Sequence, residues 1–152
     1  MLYIIFIIMV NVLLVVGVVG IVRSIYKYIT LLDVMSKYPT FGGVEVRVIR
    51  KRSLTNVSRV KGTFSRSERV IEIAFNNPLK DVINSYLHER RHSEQAFGSD
   101  AALNEMYLVS SGVLGYLRHS GQDDHETYLM SEHEVDAREV ASKLTEEYLA
   151  NR

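Results

Sequence analysis

The sequence predicts an α+β protein in which an N-terminal transmembrane helix precedes one small domain of short strands and longer helices. Three observations carry this expectation. Residues 2–22 contain no charged side chain. Residues 44–48, VEVRV, alternate apolar and polar side chains at the two-residue period of a strand. From residue 77 onward, apolar side chains recur at three- and four-residue intervals, the period of a helix. With 152 residues the chain has room for one domain beyond the anchor. Formal net charge is zero, so the surplus of lysine and arginine that marks a nucleic-acid partner is missing. There is no cysteine, which excludes disulfides and thiolate ligands and leaves histidines and carboxylates as the strong metal donors.

The first element is residues 2–22, LYIIFIIMVNVLLVVGVVGIV, where Asn11 is the one strongly polar side chain. As a helix rising about 1.5 Å per residue it is roughly 30 Å long, the thickness of a bilayer's hydrocarbon core. A helix apolar on every side would otherwise need a larger protein around it. A cleaved signal peptide fits less well, because no basic segment precedes the run and no small-x-small cleavage site precedes Arg23. The expected organisation is therefore an anchor at 1–23, a juxtamembrane helix and linker at 24–43, and a domain at 44–152. Arg23 and Lys27 follow the span and nothing basic but the α-amine precedes it. The positive-inside rule then places the domain in the cytoplasm, at the inner face of the inner membrane for a bacterial protein or a phage protein made in bacteria.

Ile25, Ile29, Leu32 and Met35 predict a juxtamembrane helix ending before Pro39, and Phe41-Gly42-Gly43 breaks the chain. The alternating stretch from Val44 to Val48 is a half-buried strand. A short second strand is expected within the polar, basic segment that follows, near residues 57–64, with Gly62 as a turn signal. Residues 70–75, VIEIAF, form a third. Asn77 can cap the next helix and Pro78 suits its first position. Leu79, Val82, Ile83, Tyr86 and Leu87 make its apolar stripe, and Gly98 is a plausible stop. Residues 101–117 read as another helix, weakened by Gly112 and Gly115. Residues 118–127 read as a loop, and 128–150 as a final helix with Leu129, Val135, Val140, Leu144 and Tyr148 among its apolar positions.

Chemistry concentrates in SYLHERRHSEQ, residues 85–95. On a helix, positions four apart sit one turn apart on one face, so His88 and His92 can direct two imidazole nitrogens at one cation about 2 Å away. Glu89 lies next to the first histidine, where it can take a proton from water. This is the H-E-x-x-H arrangement of zinc peptidases. Arg90 and Arg91 fill the intervening positions, which more commonly hold an uncharged residue. Burying guanidiniums beside a dication is costly, so these two must reach solvent or find carboxylates.

A catalytic zinc takes three protein ligands, and the motif supplies two. The remaining candidates are His119, His125, His133 and nearby acids. The favoured donor is Glu134, because Ala137 and Ala141 follow it at +3 and +7 and would let the final helix approach closely. Glu132 is the alternative, with Asp136 four residues on as an acceptor for a ligand histidine. The cluster at residues 123–126, DDHE, has no interpretable ligand spacing, and a solvated acidic loop is the simpler reading.

A strand, an H-E-x-x-H helix, and a later helix carrying E-x-x-A resemble the gluzincin-type zinc metallopeptidases. HERRHSEQ is similar to the H-E-x-R-H-x-x-Q helix of small bacterial and phage members, and EVDAREVA to their E-x-[DE]-A-x-x-x-A segment. Membrane-anchored neutral zinc peptidases of bacteria likewise place a span ahead of such a core. The resemblance covers about residues 44–149. It implies a minimal zincin-like domain, a small twisted sheet beside metal-bearing helices. It also implies Zn2+ held by His88, His92 and Glu134, with Glu89 as general base. The substrate would be a polypeptide bound by addition to an edge strand, expected at 70–75. An oxyanion-stabilising Tyr or His is usual in such enzymes; Tyr128 and His125 are candidates by position alone.

Two functions are thus expected of the sequence. The first is a membrane-anchored zinc endopeptidase held to a lipid bilayer through residues 2–22. The second keeps the anchor and drops the chemistry: a degenerate zincin-like single-span protein with a structural or binding role, for example in a virus particle. A third, a lysis-associated membrane protein, explains the anchor but neither motif.

Overall fold

The computed structural model describes residues 2–49, 61–122 and 125–152. The chain divides into two compact units, Met1–Ser36 and Lys37–Arg152. Helix α1 (Leu2–Lys37) makes the first, and Val12–Lys37 is long and apolar enough to cross a membrane. Leu13, Leu14, Val16 and Ile21 are all more than half exposed, as suits a helix whose solvent is hydrocarbon. α1 runs unbroken through the expected anchor and the expected juxtamembrane helix. Neither glycine nor proline occurs between Ile21 and Ser36, so nothing interrupts the backbone hydrogen bonds. At 36 residues α1 is about 54 Å long, well beyond the roughly 30 Å hydrocarbon core.

The second unit is α+β. A turn carries the chain through Gly42 and Gly43, both left-handed at φ 65° and 69°. At Gly42 a side chain has no room, since a Cβ would lie 2.6 Å from Phe97. Strands β1 (Glu45–Ile49), β2 (Gly62–Ser65) and β3 (Val70–Ala74) form a mixed sheet in the order β1-β3-β2. β1 runs parallel to β3, and β2 pairs antiparallel with β3 from Gly62↔Ile73 to Ser65↔Val70. The expected second strand lies partly outside the described residues, which resume at Lys61.

One expectation is overturned. Residues 70–75 were expected at the sheet edge, yet β3 is central and, among the described residues, β1 and β2 hold the edges. The cause is burial on both faces: Val70, Ile71, Ile73 and Ala74 are all buried, and four apolar residues in five suit a strand covered on each side. β1, by contrast, fades toward its end, where Val48 is 37% exposed.

Helix α2 (Leu79–Phe97) is the organising element, packed against β2, β3, α3 (Ala101–His119) and α5 (Glu132–Ala150). Its stripe of Val82, Ile83, Tyr86 and Leu87 is buried. The Tyr86 hydroxyl donates to the Tyr38 carbonyl at 2.6 Å, and burial pushes its phenol up to about 12. The Asn77 amide donates to the Ala74 carbonyl, and Pro78 occupies the cap position of α2. Gly98 ends the helix as expected. α3 is capped by the Asp100 carboxylate, which accepts from the amides of Ala102 and Leu103. The expected final helix is two: short α4 (His125–Met130) and α5, with Ser131 at the α5 cap position.

α2 and α5 run antiparallel. Lys80 meets Glu146, Asn84 meets Thr145, Arg91 meets Asp136 and Gln95 meets the His133 carbonyl, so the register descends on α5 as it rises on α2. The buried face of α5 is His133, Glu134, Ala137, Ala141, Thr145 and Tyr148. Its two alanines are fully buried.

Candidate metal centre

At the crossing of α2 and α5, His88, His92 and Glu134 form a group that could hold a metal ion, with one donor atom from each within 4.8 Å of the others. The separations are tighter than that bound. His88 Nε2 lies 3.1 Å from His92 Nε2 and 3.3 Å from Glu134 Oε2. His92 Nε2 lies 3.2 Å from Glu134 Oε1. A tetrahedron built on bonds of about 2.0–2.1 Å has edges of about 3.3 Å; the two imidazole nitrogens stand near that spacing, and the Glu134 carboxylate turns one oxygen toward each of them. The three groups come from two helices, and only the antiparallel register above unites them.

Electrostatics favours a cation here. Burial opposes the charge on Glu134, but hydrogen bonds with His88 and His92, aided by one from Tyr128, hold its carboxyl far below the usual range. Burial likewise opposes charge on His92, yet Glu134 and the nearby Glu89 raise it above the ordinary imidazole value. Glu89 is 7% exposed, and burial pushes its carboxyl up, against the pull of His88 and His92 and with the charge of Glu134 adding to the rise. A carboxylate shifted toward neutrality is a stronger base near physiological pH. It lies against β2, where a Cβ on Gly62 would fall 3.0 Å from Glu89 Cγ and Oε1. The glycine is what lets the strand pass so close.

Around the donors stands a wall of rings. Phe64 of β2 stacks on His92 at 6.5 Å between centroids, and Tyr107 lies edge-on to His133 at 5.5 Å. Tyr128 donates its hydroxyl to Glu134 Oε1. Burial and Glu134 together raise that phenol, so it stays a donor.

The arginines of the motif are accounted for. Arg91 forks onto Asp136 through Nε at 2.7 Å and Nη2 at 3.0 Å, and its Nη1 reaches Glu94 at 2.9 Å. Arg90 meets Glu94 at 2.8 Å and lies over the Phe41 ring. Asp136 thus serves an arginine and a glutamine, with no direct bond to a ligand histidine. Burial opposes its ionisation, but bonds from Arg91 and Gln95 outweigh that and hold its carboxyl below the ordinary range. A depressed carboxyl contributes stability above its unfolded value, lost as pH falls through the lower folded one. Asp136→Asn is accordingly expected to flatten the acid side of a plot of melting temperature against pH, below about pH 4, relative to wild type. An unchanged slope there would remove Asp136 from the account.

Other residues expected near a metal fall elsewhere. Glu132 is exposed and lines, with Val113 and Met130, a groove of about 570 Å³ between α3 and α4. His119 is exposed, and Asp123 and Asp124 lie outside the described residues. His133 is buried nearby, its ring 5.6 Å from that of His92, but it is not among the converging donors. The resemblance includes Gln95 as the last position of its H-E-x-R-H-x-x-Q helix but gives it no role; in the structure its amide joins His92 to α5. Its position three residues after His92, on the same helical face, was the available signal. No protein-family model, curated protein or solved structure matches the chain.

Proposed function

We propose that the chain is a membrane-anchored, zinc-dependent endopeptidase with a minimal zincin-like domain. The observation that carries this is the convergence of two imidazole nitrogens and a carboxylate within the reach of one cation, with a buried glutamate next in sequence to the first of them. Two histidines and a carboxylate suit zinc and leave its fourth position open. A zinc ion there supplies Lewis acidity, activating a water near neutral pH and polarising the scissile carbonyl. Glu89 takes the water's proton on its carboxylate and delivers it to the departing amine nitrogen. Tyr128 steadies Glu134 by donating to Oε1, the oxygen that also faces His92.

An extended polypeptide adds to the open side of β2, which has no strand partner beyond β3 among the described residues. The anchor supports a substrate pool at the membrane, where tethering raises the effective concentration of nearby chains. Arg23 and Lys27 support a cytoplasmic placement of the domain. The arginine pair lends nothing to a degenerate domain, since both guanidiniums are engaged by carboxylates.

Full-length protein in detergent micelles, dialysed against zinc and then buffer, is expected to retain one zinc per chain by elemental analysis. It should also cleave fluorescently labelled casein in a manner abolished by a chelator and restored by zinc. Retention of no zinc would end this reading.

A further inference from the structure

We propose that Gln95 is a positioning residue that fixes the tautomer of His92 by relaying the direction of a backbone carbonyl on α5. The amide of Gln95 is fully buried and touches three partners. One end lies 2.9 Å from the carbonyl oxygen of His133 and 2.7 Å from Asp136 Oδ2. The other lies 2.8 Å from His92 Nδ1.

A glutamine amide can be turned end for end without a change of shape, so its orientation has to be deduced from its partners. Here the deduction has a fixed starting point. A backbone carbonyl can only accept, so the NH2 end must face His133, and the ionised Asp136 held by Arg91 demands the same. The amide oxygen therefore faces His92, and an oxygen can only accept. Nδ1 must then carry hydrogen, whether the ring is neutral or charged. In the neutral ring the lone pair is left on Nε2, the nitrogen that faces His88 and Glu134.

The consequence reaches across the fold. The carbonyl that sets the tautomer belongs to His133, the residue immediately before the ligand Glu134. One turn of α5 thus delivers the third donor and, through Gln95, prepares the second. The site becomes competent when α5 docks, since undocked α2 has nothing to orient the amide. Arg91 has a place in this scheme: its fork keeps Asp136 an acceptor.

The inference takes its purpose from the zinc reading, but its test does not need zinc. The full chain, labelled with 15N-histidine, is studied metal-free in detergent micelles at alkaline pH. His92 is expected with its proton on Nδ1 and an unprotonated Nε2, the reverse of the form histidine prefers in water. Gln95→Leu keeps the bulk and removes the acceptor. It is expected to erase that preference and weaken zinc binding about ten- to a hundredfold. A wild-type His92 protonated on Nε2 alone overturns the relay, and so does a folded Gln95→Leu chain with unchanged tautomer and zinc affinity. The wild-type spectrum decides the matter even if the variant fails to fold. A wild type that shows the expected tautomer yet binds no zinc supports the relay and overturns the proposed function alone.

Discussion

Glu89→Gln is expected to keep one zinc per chain and to cleave labelled casein slower by about two to four orders of magnitude, the usual weight of a positioned base. Glutamine matches glutamate in size, so the crowded approach of Gly62 and the three converging donors should survive. What is lost is the capacity to take a proton. Stability should move the other way. Burial raises the Glu89 carboxyl, and a carboxyl whose folded value lies above its unfolded one costs stability once pH exceeds the unfolded value. At neutral pH the glutamine variant should therefore unfold at the same temperature or higher. Loss of activity without loss of stability or zinc is the signature of a base held in place at energetic cost. Wild-type cleavage rates in this variant would exclude Glu89 from the chemistry.

Ala141→Leu should have the largest structural effect for a single change. Ala137 and Ala141 are fully buried on the face of α5 that includes Thr145, which meets Asn84 of α2, and Glu134, which meets the two histidines. Three added carbons at that face have nowhere to go, and overpacking of this kind costs typically 1–3 kcal/mol. The helix must move outward to accommodate them. Metal coordination tolerates only about ±0.2 Å, so a displacement too small to unfold the domain should still lower zinc affinity sharply. Ser142→Leu, one residue along and exposed, provides the control and should stay within about 0.5 kcal/mol of wild type with zinc binding intact. Chemical denaturation and competitive zinc titration of both variants would separate the two effects. Equal zinc affinity in Ala141→Leu would mean that close helix approach does not hold the site together.

Much of the local structure was legible in particular residues. The uncharged run from residue 2 to 22 specifies a helix, and α1 is long and apolar enough to cross a membrane. Val82, Ile83, Tyr86 and Leu87 specify the buried face of α2, and that face places His88 and His92 one turn apart. Glycine at 98 marks the end of that helix. Where local signals competed, the outcome lay beyond them. Asn77 is as good a cap by type as any, but its amide turned to the Ala74 carbonyl. The run VIEIA carries four apolar residues in five, as a strand covered on both faces does, but which strands flank it was decided by the tertiary assembly. The anchor and the following helix looked separable by composition, yet α1 continues because composition does not break a helix and only backbone chemistry does.

By itself the sequence determined the membrane-length helix, the pairing of two histidines on one helical face, and the lack of thiolate donors. The first two follow from the geometry of a single segment and the third from composition. Tertiary structure alone decided that Glu134 meets those histidines while Glu132 faces solvent, that Asp136 takes Arg91, and that Gln95 couples His92 to the other helix. These depend on the antiparallel register of α2 and α5. A register is set by how two whole helical faces pack, and no short stretch of either one contains it.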